Sequence, residues 1–153
     1  MANLMGTIIL PILLFLPGEH CGLFRKPSSI TTILAEGNIT CFHHHPVWCY
    51  SAVLIEKDWL HDTDDILDTN GAWCRYTDTE PYRLVGEDDG DGLNDNFYEF
   101  SIEITHNCSR SGEILRLTKH LKPITVQSRL VLIDTSVEVT HIGRKVDDYW
   151  SHG

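Results

Sequence analysis

Basic residues are scarce in this chain: twelve Lys and Arg stand against twenty-two Asp and Glu, a formal net charge of −10. A nucleic-acid role needs a basic face to neutralise phosphates, so no nucleic-acid partner is expected. Sustained helical periodicity is missing, which argues against bundles and coiled coils. No Cys-x-x-Cys pair occurs, and this removes the main support for a zinc ribbon or a thioredoxin-type centre. A Gly-x-Ser-x-Gly elbow and a phosphate-cradling glycine loop are also lacking. Disorder is excluded from the other side, because 42% of residues are apolar and 22% charged, close to globular averages.

The one long uncharged run, Leu4 to Leu16, has thirteen residues. It is shorter than the roughly 20 that span a bilayer as a helix, and it reads as the apolar centre of a signal peptide over residues 1–21. Nothing later qualifies as a membrane span, and the expected location is secreted and extracellular. Cleavage beyond Cys21 would leave Cys41, Cys49, Cys74 and Cys108, an even set suited to disulfides in an oxidising compartment. Three pairings of these four are open. The sequons Asn38-Ile39-Thr40 and Asn107-Cys108-Ser109 make Asn38 and Asn107 glycosylation candidates.

What remains after a leader is one domain's worth of chain. Short β-rich runs recur in it with Gly, Asn and Asp between them, so the fold class is all-β. Strands are expected at Ile39 to Phe42, Trp48 to Ile55, Ala72 to Tyr76, Tyr82 to Val85, Phe97 to His106, Ile114 to Thr118 and Leu130 to Val139, with a loop over Pro123 to Ser128. The run ending at His106 alternates most cleanly. Tyr98, Phe100, Ile102 and Ile104 form its core face, and Glu99, Ser101, Glu103 and Thr105 its polar face.

Charge is concentrated: Asp58 to Glu103 holds fourteen acids against Arg75 and Arg83, the composition of solvated loops and strand faces. Within it, Glu87, Asp89, Asp91 and Asp95, with Gly92 permitting a bend, resemble the oxygen-rich loops that hold calcium. Twelve positions from Glu87 stands Tyr98 rather than the Glu of an EF-hand. His43, His44 and His45 are a second metal candidate, although neighbours on a strand point to opposite faces and the setting before Pro46 is that of a turn. Trp48, Trp59, Trp73 and Trp150, with Tyr50 and Tyr76, supply core or contact aromatics, and Trp73 and Tyr76 cannot both face inward on one regular strand.

From about Leu34 to Thr140 the order of pieces resembles the nematode transthyretin-like family of secreted proteins. The pieces are Ile39-Thr40-Cys41, Val53 to Asp58, Asp65 to Asp68, Tyr82 to Gly86, and an aromatic strand ending in His106-Asn107-Cys108. The further Cys common in that family is absent between Ser109 and Lys119, while Cys49 and Cys74 are additional, so no disulfide pattern carries over. The resemblance implies a transthyretin-like β-sandwich of seven or eight mainly antiparallel strands over residues 30–142, followed by a tail over 143–153. The enzymatic branch of that fold, similar to hydroxyisourate hydrolase, ends in Tyr-Arg-Gly-Ser. This chain ends Tyr149-Trp150-Ser151-His152-Gly153, so no catalysis is expected. The expectation is a secreted, noncatalytic binding protein for a small lipid or other hydrophobic ligand, or for an extracellular protein, without a cofactor. The alternative is a calcium-dependent binding module using residues 87–95.

Overall fold

The computed structural model describes residues 30–42, 46–57, 64–89 and 97–148. Its strands are β1 (Thr31–Thr40), β2 (Trp48–Glu56), β3 (Asp65–Arg75), β4 (Thr79–Asp88), β5 (Phe97–Tyr98), β6 (Phe100–His106), β7 (Leu115–His120), β8 (Ile124–Thr125), β9 (Leu130–Asp134), β10 (Val137–Glu138) and β11 (Arg144–Lys145). Seven of the eleven have five residues or more, and the all-β expectation holds. One sheet pairs β4 with β1, whose other edge takes β9 and then β10. The second runs β11-β7-β6-β2-β3, and β5 pairs β8 in a short ribbon. Pairing is antiparallel throughout except that β9 and β10 lie parallel to β1. The larger sheet continues through Arg144 and Lys145, beyond the boundary expected at 142.

The two larger sheets meet over a single apolar core, as in a sandwich. Alternation on β1 turns Ile33, Ala35 and Ile39 inward, and β4 adds Tyr82 and Leu84. From the facing sheet come Trp48, Tyr50, Ala52 and Leu54 of β2, with Phe100, Ile102 and Ile104 of β6. Tyr82 also anchors the edge of the smaller sheet by donating its hydroxyl to Thr135 O at 2.6 Å. Burial pushes that phenol up to about 12, reinforced by the negative charge of Asp134.

Two glycines admit close backbone approaches, one within the smaller sheet and one between the sheets. A Cβ on Gly37 would stand 2.1 Å from Thr135 O, so only glycine lets the chain between β9 and β10 cross here. One on Gly86 would meet Leu67 Cβ at 2.6 Å, where β3 folds over β4.

Several strands differ from expectation. The first begins at Thr31 and ends at Thr40, because its N-terminal half pairs with both β4 and β9. Residues 97–106 are split at Glu99, whose N–H donates to the Glu56 carboxylate and whose carbonyl accepts Lys57 N–H instead of joining a ladder. The expected loop after Pro123 contains β8. Trp73 and Tyr76 both face outward, at 50% and 83% exposure, while Trp48 and Tyr50 stack in the core.

The four cysteines form two bridges, Cys41–Cys108 and Cys49–Cys74. The second joins directly opposed residues of β2 and β3. The first connects the residue after β1 to a residue just past β6, and so ties one sheet to the other. Beside it lies His106, fully buried: Nε2–H donates to Ile142 O at 2.8 Å, and Nδ1 accepts Cys108 N–H at 3.2 Å. Both ring nitrogens are satisfied only in the neutral form. Burial lowers its pKa to about 4, against the opposing effect of the bond to Ile142.

Two stability predictions follow from this closure. The bridges close loops of 67 and 25 residues in sequence separation. Chain entropy then assigns about 4.4 and about 3.5 kcal/mol to them, so Cys41→Ala/Cys108→Ala should lower the urea midpoint more than Cys49→Ala/Cys74→Ala. The native state keeps His106 neutral down to about pH 4, whereas the unfolded chain protonates it from near 6.5. Stability is therefore full above that range and falls by up to about 3 kcal/mol as pH drops from 6.5 to 4, then levels off. Urea titrations across this range should show that slope in the native sequence and lose it in His106→Gln.

Candidate functional site

The polar face of β6 forms the floor of a cleft. Strand alternation sends Ser101, Glu103 and Thr105 away from the core formed by Ile102 and Ile104. Register places a β7 residue opposite each: His120 opposite Ser101, Thr118 opposite Glu103, and Arg116 opposite Thr105. The side chains pair along these rows. Ser101 Oγ lies 2.9 Å from His120 Nδ1, Thr118 Oγ1 donates to Glu103 Oε1 at 3.3 Å, and Arg116 Nε donates to Thr105 Oγ1 at 3.0 Å. Lys57, just past β2, reaches Asp64 at 2.6 Å and Glu103 at 3.8 Å, while Arg116 Nε lies 3.9 Å from Glu103. Glu103 is thus flanked by two cations across the sheet.

A cavity of about 450 Å³ opens over the first two rows, with Phe100, Leu121 and Pro123 adding apolar walls to Lys57, Glu103 and His120. This volume suits a small ligand. The site supplies an acid, a lysine, an imidazole and two hydroxyls beside apolar surface, so it can orient an amphipathic molecule by its polar end. Among the described residues no carboxylate lies within ion-pair distance of His120, so the Ser101–His120 pair lacks the third group that would orient it as a nucleophile and base. The third row is tighter: Arg116 and Ser51 are buried, and among the described residues Arg116 Nη2 and Ser51 Oγ have no hydrogen-bond partner.

The sequence identified the residues of this face as polar, but the cleft needed β7 and Lys57 beside them. The signal was the matched polar alternation of 101, 103, 105 against 116, 118, 120; only the register reveals that they converge.

The other candidates are placed as follows. Cys41, Cys49, Cys74 and Cys108 are consumed in the two bridges. Asn38 is exposed on β1. Asn107 is half-buried, and its Oδ1 accepts Cys49 N–H at 2.7 Å, closing the end of β2. Glu87 is the penultimate residue of β4, opposite Thr32, and Asp89 lies just past the strand's end at Asp88; both line a shallow cleft of about 380 Å³ with Asp65, Leu67 and Asp88. Asp91 and Asp95 lie outside the described residues, as do His43, His44, His45, Trp59 and Trp150. Among the described residues, no group of three His, Cys, Asp or Glu is arranged to hold a metal ion. No helix among them is long and apolar enough to cross a membrane.

Comparison with known proteins gives relatives without an assigned activity. The chain is 34% identical over 77 residues to the uncharacterized protein B0416.7 of Caenorhabditis elegans, a match covering 50% of this chain. That match spans 55% of the relative's length. No solved structure matches the chain. Residues 36–147 match the family described as Caenorhabditis elegans protein of unknown function (DUF870), which takes in β2 through β11 and both disulfides; the chain belongs to that family.

Proposed function

We propose that this is a secreted, noncatalytic binding protein on a transthyretin-like sandwich, and that it holds a small amphipathic ligand in the cleft over β6 and β7. The cleft is the observation that carries the reading. Its volume is about 450 Å³. Phe100, Leu121 and Pro123 offer apolar contact to a hydrocarbon portion, and Ser101, Glu103, His120 and Lys57 offer donors and acceptors to a polar end. The floor is rigid because β6 is hydrogen-bonded on both sides, to β2 and to β7.

Export is supported by the two bridges, which persist in oxidising compartments, together with the apolar run at the N-terminus. A noncatalytic role is supported by the incomplete surroundings of His120 and by the tethering of Glu103 between Lys57 and Arg116. An acid held by two cations is suited to a fixed polar contact.

Two measurements test the reading. Intact and reduced mass spectrometry of protein collected from the culture medium should give a mature chain starting beyond Cys21, a loss of two bridges on reduction, and a glycan at Asn38. Material retained in cells with free thiols would refute export. For the cleft, a polarity-sensitive fluorescent fatty acid should bind saturably and be displaced by unlabelled amphiphile. Thr118→Trp, which fills the space beside Glu103, should weaken that binding about tenfold with an unchanged circular dichroism spectrum. Equal binding by Thr118→Trp would place the ligand elsewhere.

A further inference from the structure

We propose that the Cys49–Cys74 bridge is a site of thiol–disulfide exchange, at which a small thiol is captured on Cys74 and Cys49 is released as the free thiol. The inference does not depend on the cleft over β6 and β7.

The two bridges differ in access. Cys41 and Cys108 are fully buried, and their bond ties one sheet to the other. Cys74 is exposed and Cys49 half-buried, and their bond joins opposed residues within one sheet. β3 is the outermost strand of that sheet, and among the described strands only β2 pairs with it. An exposed disulfide is open to a thiolate in the native state, whereas a buried one is reached only after the fold opens.

Position on the edge selects the sulfur. The incoming sulfur attacks in line with the bond it breaks, so it approaches one cysteine from the side opposite the other. Cys74 stands on the edge strand, and the direction from β2 through it leads outward past the sheet. Its neighbour two residues back on the same face is Ala72, itself exposed, whose methyl leaves that approach open. Attack at Cys49 would come from within the sheet. There Asn107 donates its N–H to Cys49 O at 3.1 Å and accepts Cys49 N–H on Oδ1 at 2.7 Å.

Those same hydrogen bonds let the fold survive the step. Both backbone polar groups of Cys49 are directed at Asn107 rather than at β3, so opening the bridge breaks no ladder bond between the two cysteines. Trp48 and Tyr50 remain in register with Arg75 and Trp73, β2 stays paired to β6, and Cys41–Cys108 still holds the sheets together. In the exchange, the small thiolate forms an S–S bond to Cys74 Sγ as the Cys49–Cys74 bond breaks. The electron pair leaves on Cys49 Sγ, which takes a proton from water. The incoming sulfur is oxidised to the disulfide level and Cys49 is reduced, so no further oxidant or reductant is needed. Cys49 then stands beside the mixed disulfide and can expel the captured thiol, which makes capture reversible.

Glutathione is the probe. The purified protein with both bridges formed is incubated with excess glutathione at mildly alkaline pH, quenched with iodoacetamide and mapped by peptide mass spectrometry. Glutathione should be found on Cys74 and the alkyl group on Cys49, with Cys41–Cys108 intact and the circular dichroism spectrum unchanged. The exposed bridge should open at least about tenfold faster than the buried one. Equal opening rates, glutathione chiefly on Cys49, or loss of the β spectrum on capture overturns the proposal. So does a Cys49–Cys74 bridge that resists glutathione until urea unfolds the chain.

Discussion

The inter-sheet bridge Cys41–Cys108 is the constraint on which the closed end of this sandwich depends. Two sheets packed over a core are free to shear unless something fixes their relative position at the rim. Here the covalent link sits just past the ends of β1 and β6, and His141 N–H donates to Cys108 O, which draws the C-terminal segment to the same point. His106 extends the junction by holding Ile142, three residues before β11 ends at Lys145. Bridge, imidazole and C-terminal segment therefore act as one unit. Its weakness is acid, because the histidine serves only while neutral.

Legibility in the sequence followed how locally each feature is determined. The alternation of β6 was plain because one face is fully apolar: Phe100, Ile102 and Ile104 are all buried. The first strand was placed too late, since Thr31 to Ala35 carries weak alternation and becomes a strand through its two neighbours, β4 and β9. The two-residue strands β8 and β11 have no periodicity to detect and exist through pairing with β5 and β7. The break at Glu99 depends on a carboxylate forty-three residues away, Glu56, which no local pattern announces. Disulfide pairing was undetermined for the same reason, being a property of how strand ends converge.

The candidate site shows a subtler gap. Ser101, Glu103 and Thr105 were correctly separated from the core face, yet a polar face implies solvent only if nothing stands over it. Ser101 and Thr105 are buried, as are Ser51 and Arg116 along the same rows. A polar row within a central pair of strands, with buried donors and acceptors left over, differs from an ordinary solvated face. Unsatisfied atoms such as Arg116 Nη2 carry a desolvation cost of about 1–3 kcal/mol, so fixing them here is not neutral for folding.

The outward faces of the two sheets are built from opposite materials, and the reason lies in strand order. In the larger sheet the strands with both faces buried, β2 and β6, are central, and the larger cleft described above opens toward β7, where polar side chains converge with Lys57. In the smaller sheet β1 is central and only three strands wide at any level, which leaves β9 at an edge with its leucines uncovered. Gly37 bears on the second of these features. By admitting Thr135 O at close range it interrupts the edge after Asp134, which limits the open segment to one short strand and keeps it from becoming a long aggregation-prone border.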